Sequence, residues 1–166
     1  MKKAAAGLVA GLFLVFLPLL TGGAAASSHS PGCTPCPGKD ENALSFRRIA
    51  GGSYSGVVER RFSFVTSPEG WERAWREANG AVMPQPSLPA VDFQKESVAL
   101  VFQGRKRSGG YGVEVTSVLE REGFILVVVG EREPLPGAVV TAAISSPWDA
   151  VAFPAAGKPV FFVPSK

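Results

Sequence analysis

Two short apolar runs, VALVF at residues 98–102 and FILVVV at residues 124–129, decide the fold of this chain. Each run is too short for a convincing buried helix, and each has the length of a strand that is covered on both of its faces. We therefore predict that these two segments are central strands, with the rest of the domain arranged around them.

The segments around these runs alternate between apolar and polar residues. Phe62 and Phe64, preceded by Val58, are separated by polar side chains, and Tyr111, Val113 and Val115 follow the same rule. A period of two is typical of half-buried strands. Residues 121–123 then read as a hairpin turn. Further strands are predicted at residues 46–49, 138–144, 150–153 and 160–163, which are divided by Pro and Gly clusters.

One segment predicts a helix. Ser67 suits the N-cap, Pro68 suits the first helical position, and Gly80 supplies the stop. Between them, Trp71 and Trp75 fall on one face at helical spacing. An apolar stripe of this kind usually packs, so both tryptophans are predicted to belong to the core.

The fold class follows from these elements and from the composition. The chain of 166 residues contains 19 Gly and 14 Pro, which argues against a bundle of long helices. Residues 44–166 are numerous enough to bury a core as one domain. We predict a mainly β domain of the β-rich α+β type, an antiparallel sandwich or partly open barrel with one packed helix.

The N-terminal segment has the pattern of an export signal. Lys2 and Lys3 precede an apolar run at residues 8–20, and small residues follow at 22–26. This pattern predicts a signal peptide at residues 1–26 and a protein of the periplasm, the cell envelope or the external medium. No second apolar segment approaches spanning length, so no membrane span is expected after cleavage.

Residues 27–43 (SSHSPGCTPCPGKDENA) predict a flexible linker, since the segment has no aromatic or branched aliphatic residue. It contains a C-x-x-C pair, Cys33 and Cys36. An oxidising environment favours a local disulfide. A redox site and a soft metal site with His29 are the alternatives, although a closed zinc site normally needs a fourth ligand.

Several function classes are disfavoured by what the domain lacks. The formal net charge of +3 falls to +1 without the two leader lysines, which gives no basic excess for nucleic acid. The single histidine, His29, lies in the linker, so the domain cannot build a Ser-His-Asp or Cys-His site. Phosphate-loop, dinucleotide, zinc-protease and calcium motifs are absent. We expect no enzymatic activity, no cofactor and no metal.

The most unusual stretch is GRKRSGGYG at residues 104–112, between two predicted strands. Its glycines allow backbone N–H groups to converge, and its basic side chains can bind an acidic partner. A second candidate is SSPWD at residues 145–149, which reads as an exposed loop. The predicted partner-binding residues are Arg105, Arg107, Ser108, Gly109, Gly110, Tyr111 and Trp148.

Taken in order along the chain, several motifs resemble the C-terminal domain of PrcB, an exported bacterial subunit that accompanies a subtilisin-like surface protease. The most specific motif is the block from Gly104 to Tyr111. The resemblance implies a non-catalytic accessory protein that binds and stabilises a protease or another envelope protein. The other matching positions are Ser55-Gly56, Trp71 and Trp75, PAVDF at 89–93, residues 134–137, and Pro147-Trp148.

Two other functions are compatible with these residues. The Gly-Tyr turn and the Pro-Trp loop faintly resemble the loops of chagasin-type protease inhibitors, which would act through residues 104–112 and 145–149. Exposed aromatic side chains are also typical of modules that bind envelope polysaccharide. A protease inhibition assay tests the inhibitor alternative, and pelleting with cell-wall material tests the polysaccharide-binding alternative.

Overall fold

The computed structural model describes residues 42–80 and 82–165. This part of the chain forms eight β-strands and one α-helix, which confirms the predicted mainly β class. In chain order the elements are β1 (Ala43–Leu44), β2 (Arg47–Gly52), β3 (Arg61–Val65), α1 (Pro68–Ala78), β4 (Glu96–Phe102), β5 (Gly112–Glu120), β6 (Ile125–Arg132), β7 (Trp148–Pro154) and β8 (Val160–Pro164).

The strands form two four-stranded sheets that pack as a sandwich. The first sheet has the order β1-β5-β6-β8 and the second has the order β2-β7-β4-β3. All pairings are antiparallel except that of β6 with β8, which is parallel. The chain reaches β8 only after crossing the second sheet as β7, and this long connection permits the parallel pairing. Of the two predicted architectures, the structure has the sandwich.

Strand β4 is central in the second sheet and is buried on both faces. Its Ala99 and Val101 face the first sheet and belong to the core between the sheets. Its Val98, Leu100 and Phe102 face the other way and pack beneath the helix. This two-sided burial explains why VALVF carries no polar residue. The FILVVV run is also central, because β6 lies between β5 and β8.

Helix α1 covers the outer face of the second sheet and begins as predicted. The Ser67 hydroxyl accepts a hydrogen bond from the Gly70 N–H at 3.2 Å, and Pro68 occupies the first turn. Trp71 and Trp75 are buried in the core beneath the helix. Their indole N–H groups donate to the Pro89 and Pro86 carbonyls. The prediction that these tryptophans are core residues is confirmed.

Two predicted segments differ in the structure. Val58 lies outside β3 and is 61% exposed, because β3 begins only at Arg61. Residues 138–144 form an exposed irregular loop, where the sequence predicts a strand. Within the described residues this region makes one isolated β-bridge, Lys106 with Ser145, and no continuous ladder. Without a neighbouring strand, the apolar residues 138–144 cannot join either sheet.

Candidate functional site

A groove of about 510 Å³ lies at one end of the sandwich, where β2 and β7 of the second sheet meet β5 and β6 of the first. We call it the end groove. Its lining includes Arg48, Tyr111, Glu114, Arg132 and Trp148. The end groove is thus built from both sheets and contains two of the seven predicted partner-binding residues.

Two open strand edges contribute to the end groove. Strand β1 pairs only with Val118 and Leu119 of β5, and the chain then crosses to the second sheet as β2. The remainder of the β5 edge, residues 112–117, therefore has no strand beside it within the described residues. Strand β2 is itself the edge of the second sheet. Open edges of this kind leave backbone N–H and C=O groups without a strand partner, and of these groups the Val115 N–H is bound by the Asp149 carboxylate.

Asp149 is a buried carboxylate that joins three strands beside the groove, and it is only 1% exposed. One carboxylate oxygen accepts a hydrogen bond from Arg48 Nε on β2 at 2.6 Å. The other oxygen accepts from the Val115 N–H on β5 at 2.9 Å. Because β5 belongs to the first sheet and Asp149 to the second, this side chain fixes the separation of the two sheets at the groove.

Gly51 leaves room for the ion pair of Arg48 and Asp149. A Cβ atom at position 51 would lie 3.0 Å from Arg48 Nη2 and 3.0 Å from Asp149 Oδ1. These contacts are tighter than van der Waals packing allows without a shift of one partner. The absence of a side chain at Gly51 therefore gives the guanidinium room to lie across β2 and reach the buried carboxylate.

Trp148 is a buried strand residue, and the prediction of an exposed loop aromatic is wrong. It opens β7 opposite Phe102 of β4 and is 4% exposed. Its ring stacks on Phe102 with centroids 6.1 Å apart, and it meets Trp75 edge-on at 6.0 Å. The strand pairing at residue 148 turns this side chain toward the helix. Trp148 is part of the groove wall, and it cannot project into a partner as an anchor.

Tyr111 and Arg132 are two of the polar residues that line the groove. Tyr111 is half-buried, and Lys106 Nζ lies 5.0 Å from the centre of its ring. The Arg132 guanidinium lies against Gly112, its partner in the β5–β6 pairing: a Cβ there would be 3.1 Å from Nη2. Both side chains offer hydrogen-bond donors to the groove.

The basic part of the predicted site lies outside the end groove. Arg105 and Arg107 are exposed and do not line it. Gly109 donates its N–H to the Thr141 carbonyl at 2.9 Å, and the Ser108 carbonyl accepts from the Ser145 hydroxyl at 2.7 Å. The structure thus divides the predicted residues into two groups: Tyr111 and Trp148 line the end groove, whereas Arg105 to Gly110 lie beside the 133–146 loop.

Two glycines hold residues 104–110, which we call the basic loop, in place. Gly104 has a φ of +79°, and a Cβ there would lie 2.8 Å from the Arg60 backbone nitrogen. Gly110 has a φ of +86° and packs against Val140 and Pro134. Side-chain residues rarely adopt these conformations. The glycines that the sequence analysis singled out are therefore required by backbone geometry.

Residues 42–80 and 82–165 contain no group of three His, Cys, Asp or Glu placed to hold a metal ion, and no helix long and apolar enough to cross a membrane. A hydrogen bond from Arg47 holds the pKa of Glu96 below its ordinary value. That ion pair joins β2 to the start of β4 and does not line the groove. Cys33, Cys36 and His29 lie outside the described residues.

The sequence analysis missed Arg48 and Arg132, and it included Asp149 only as part of the 145–149 segment. Arg48 sits 101 positions from Asp149 in the chain, and nothing in its local pattern separates it from Arg47. Asp149 carried a weak signal, since it is a lone carboxylate at the start of an apolar strand. A charge in such a position has to be paired when it is buried.

Comparison with known proteins supports one assignment. No curated protein and no solved structure matches the chain. A family model matches from the second residue of β4 to the end of β7, a segment that includes the basic loop, Tyr111, Arg132 and Asp149. The model is described as PrcB C-terminal, and its match to residues 97–154 confirms the resemblance over that segment. The motifs at 55–56, 71–75 and 89–93 lie before the matched residues.

Proposed function

We propose that this chain is an exported, non-catalytic module that binds a protein partner, and that the partner is a secreted or surface protease. The match to the PrcB C-terminal family supports an accessory role in a protease complex. The N-terminal pattern of lysines, apolar run and small residues supports export. The observation that carries the proposal is the end groove with its open strand edges.

The end groove suits an extended segment of the partner. The Val115 N–H points away from β6, toward Asp149. Alternate residues of an antiparallel strand direct their backbone groups to the same side, so the N–H and C=O of Val113 face the same open edge. An extended peptide can add to such an edge through main-chain hydrogen bonds. Tyr111 and Arg132 then supply side-chain contacts to the added segment.

The two alternative functions receive less support. An inhibitor acting through residues 104–112 and 145–149 needs two protruding loops, but residues 145–149 are buried. A polysaccharide-binding surface needs exposed aromatic rings that stack on sugars, and Trp148, the aromatic residue that the sequence offered for it, is covered by Phe102 and Trp75. The groove with its open edges therefore favours a protein partner.

The test is affinity capture from the envelope and culture-fluid fractions of the native organism. Three baits are used: the exported wild-type protein, Tyr111→Ala and Tyr54→Ala. Tyr54 is the other tyrosine of the chain, is exposed and does not line the groove. Tyr54→Ala is therefore the same substitution made outside the groove. Circular dichroism and thermal melting establish that all three baits are folded.

We expect the wild-type protein and Tyr54→Ala to capture the same protease and Tyr111→Ala to lose it. Addition of the wild-type protein should preserve or raise the half-life and turnover of that protease. Lowered turnover would indicate the inhibitor instead. Equal capture by all three folded baits, or capture of no protein, would refute the groove as the partner site.

A further inference from the structure

The loop at residues 133–146 exposes several aliphatic side chains. Val139 is 102% exposed, Leu135 is 79% exposed and Ile144 is 53% exposed. Ala138, Ala142 and Ala143 are exposed in the same loop. Single exposed aliphatic residues are ordinary, but a contiguous group of them marks an interaction surface.

The basic loop lies directly beside this aliphatic loop. Lys106 and Ser145 exchange two backbone hydrogen bonds, at 2.7 and 3.1 Å. Gly109 packs so closely on the Thr141 side chain that no Cβ would fit between them, and Gly110 packs on Val140. The two loops therefore form one surface, which we call the loop pair and define as residues 104–110 with residues 133–146.

The loop pair has a cationic excess. Residues 104–110 contain three basic residues and no acid, and residues 133–146 contain one acid, Glu133, and no base. Arg105 and Arg107 are exposed, and neither forms an ion pair with any residue in the part of the chain that the structure describes. Their charges are thus free to meet an external partner.

We propose that the loop pair docks the protein on an anionic lipid surface, with Leu135 and Val139 inserting below the headgroups and Arg105 and Arg107 contacting them. The aliphatic side chains project from a loop, and insertion into a fluid apolar phase requires no matching shape on the partner. Basic side chains next to inserting aliphatic ones are the usual composition of surfaces that bind anionic membranes. This inference goes beyond the proposed function, because it uses residues outside the end groove.

Vesicle sedimentation tests the charge requirement on the exported protein. The two probes are vesicles of phosphatidylcholine alone and vesicles containing phosphatidylcholine and phosphatidylglycerol in equal parts. Each cation near an anionic surface strengthens binding by about fivefold. We therefore expect binding to the anionic vesicles to fall by about 25-fold in the double variant Arg105→Ala with Arg107→Ala. The matched control, Arg73→Ala with Arg76→Ala, removes two exposed charges from the helix and should bind as wild type.

Tryptophan fluorescence tests whether the side chain at position 139 inserts into the lipid, whatever the N-terminal segment adds to vesicle binding. The three native tryptophans are buried, so a tryptophan placed by Val139→Trp is the one that senses vesicles. Its emission should shift to the blue on addition of the anionic vesicles. Phe161→Trp, an exposed position on β8, is the control and should not shift.

The outcomes distinguish a lipid partner from a protein partner at this surface. A blue shift confined to Val139→Trp, with weaker sedimentation of the arginine variant, supports the proposal. If the emission of Val139→Trp does not shift, the proposal is overturned even when the arginine variant sediments less, because electrostatic attraction alone involves no insertion. The proposal is also overturned if the wild-type protein does not bind vesicles but captures a protein that the loop-pair variants fail to capture. The lipid test uses only substitutions outside the groove, so failure of the proposed function is seen separately.

Discussion

Residues 138–144 and residues 145–149 are neighbours in the chain and opposite in burial. Six of the seven residues in AVVTAAI are apolar, yet the segment is mostly exposed. SSPWD contains two serines and an aspartate, yet all five of its residues are buried. Burial in this region therefore does not follow hydrophobicity.

The difference lies in the partners that each segment finds. Residues 145–149 lead into β7, the strand that lies between β2 and β4, so their backbone enters the middle of a sheet. The Ser146 hydroxyl donates to the Val57 carbonyl at 2.7 Å, and Asp149 accepts from Arg48 and Val115. Each buried polar group is satisfied, as burial requires. Residues 138–144 have no such strand beside them and stay in solvent.

Truncation of Trp148 should have the largest effect. Trp148→Ala removes a ring packed between Phe102 and Trp75, and the cavity left behind should lower the free energy of unfolding by about 4 kcal/mol. Urea titration followed by circular dichroism measures the change. Trp148→Phe keeps an aromatic ring and should recover more than half of the loss. A loss within 1 kcal/mol, which is about the scale of an ordinary surface change, would mean that residue 148 is exposed in solution.

Asp149→Ala should come second. The substitution leaves the Val115 N–H without its acceptor and Arg48 without its ion partner, and we expect a loss of about 3 kcal/mol in the free energy of unfolding. Arg48→Ala is the informative companion, because Asp149 then keeps the Val115 and Ala150 N–H groups. It should cost a similar amount, because the buried carboxylate loses its counter-charge, whereas an Arg48 left without Asp149 is 56% exposed and stays solvated. A much smaller loss would show that the two N–H groups alone are enough to hold the carboxylate.

Ser146→Ala should have an intermediate effect. Its hydroxyl hydrogen-bonds with the Val57 carbonyl and, at 2.9 Å, with the Ser55 hydroxyl. Removal leaves these buried groups with one partner fewer, which should lower the free energy of unfolding by about 1–2 kcal/mol in the urea titration. Ser165→Ala, an exposed serine outside this network, is the control and should change nothing. If Ser146→Ala is as stable as wild type, the hydrogen bonds of Ser146 do not contribute to the stability of this buried segment.

Much of the fold could be predicted because its signals are local. The VALVF run indicates a strand covered on both faces, and the Ser67-Pro68 pair indicates where the helix begins. The parallel pairing of β8 with β6 and the crossing of the chain from β1 to β2 depend on contacts between distant segments. Residues 138–144 were misjudged for the same reason, since their composition suits a strand but no strand edge is beside them.

The candidate site could be predicted only in part. The glycines and Tyr111 were found because an unusual local composition marks the turn they form. Arg48 and Asp149 meet across 101 positions, and a single sequence carries no trace of that pairing. Trp148 was misplaced because the preceding Ser-Ser-Pro reads as a loop, whereas hydrogen bonds from both serines fix those residues in the interior.

The smallest effect should come from Val139→Ser. The side chain at position 139 contacts no core residue and is fully exposed, so the free energy of unfolding should stay within about 0.5 kcal/mol of wild type. The same substitution at Val151, which is fully buried between the sheets, is the matched control and should shift the urea midpoint strongly. A marked loss of stability in Val139→Ser would mean that residues 138–144 pack on the domain in solution. Wild-type stability together with weaker vesicle binding would instead show that these aliphatic side chains contribute to a contact made outside the fold and nothing to the fold itself.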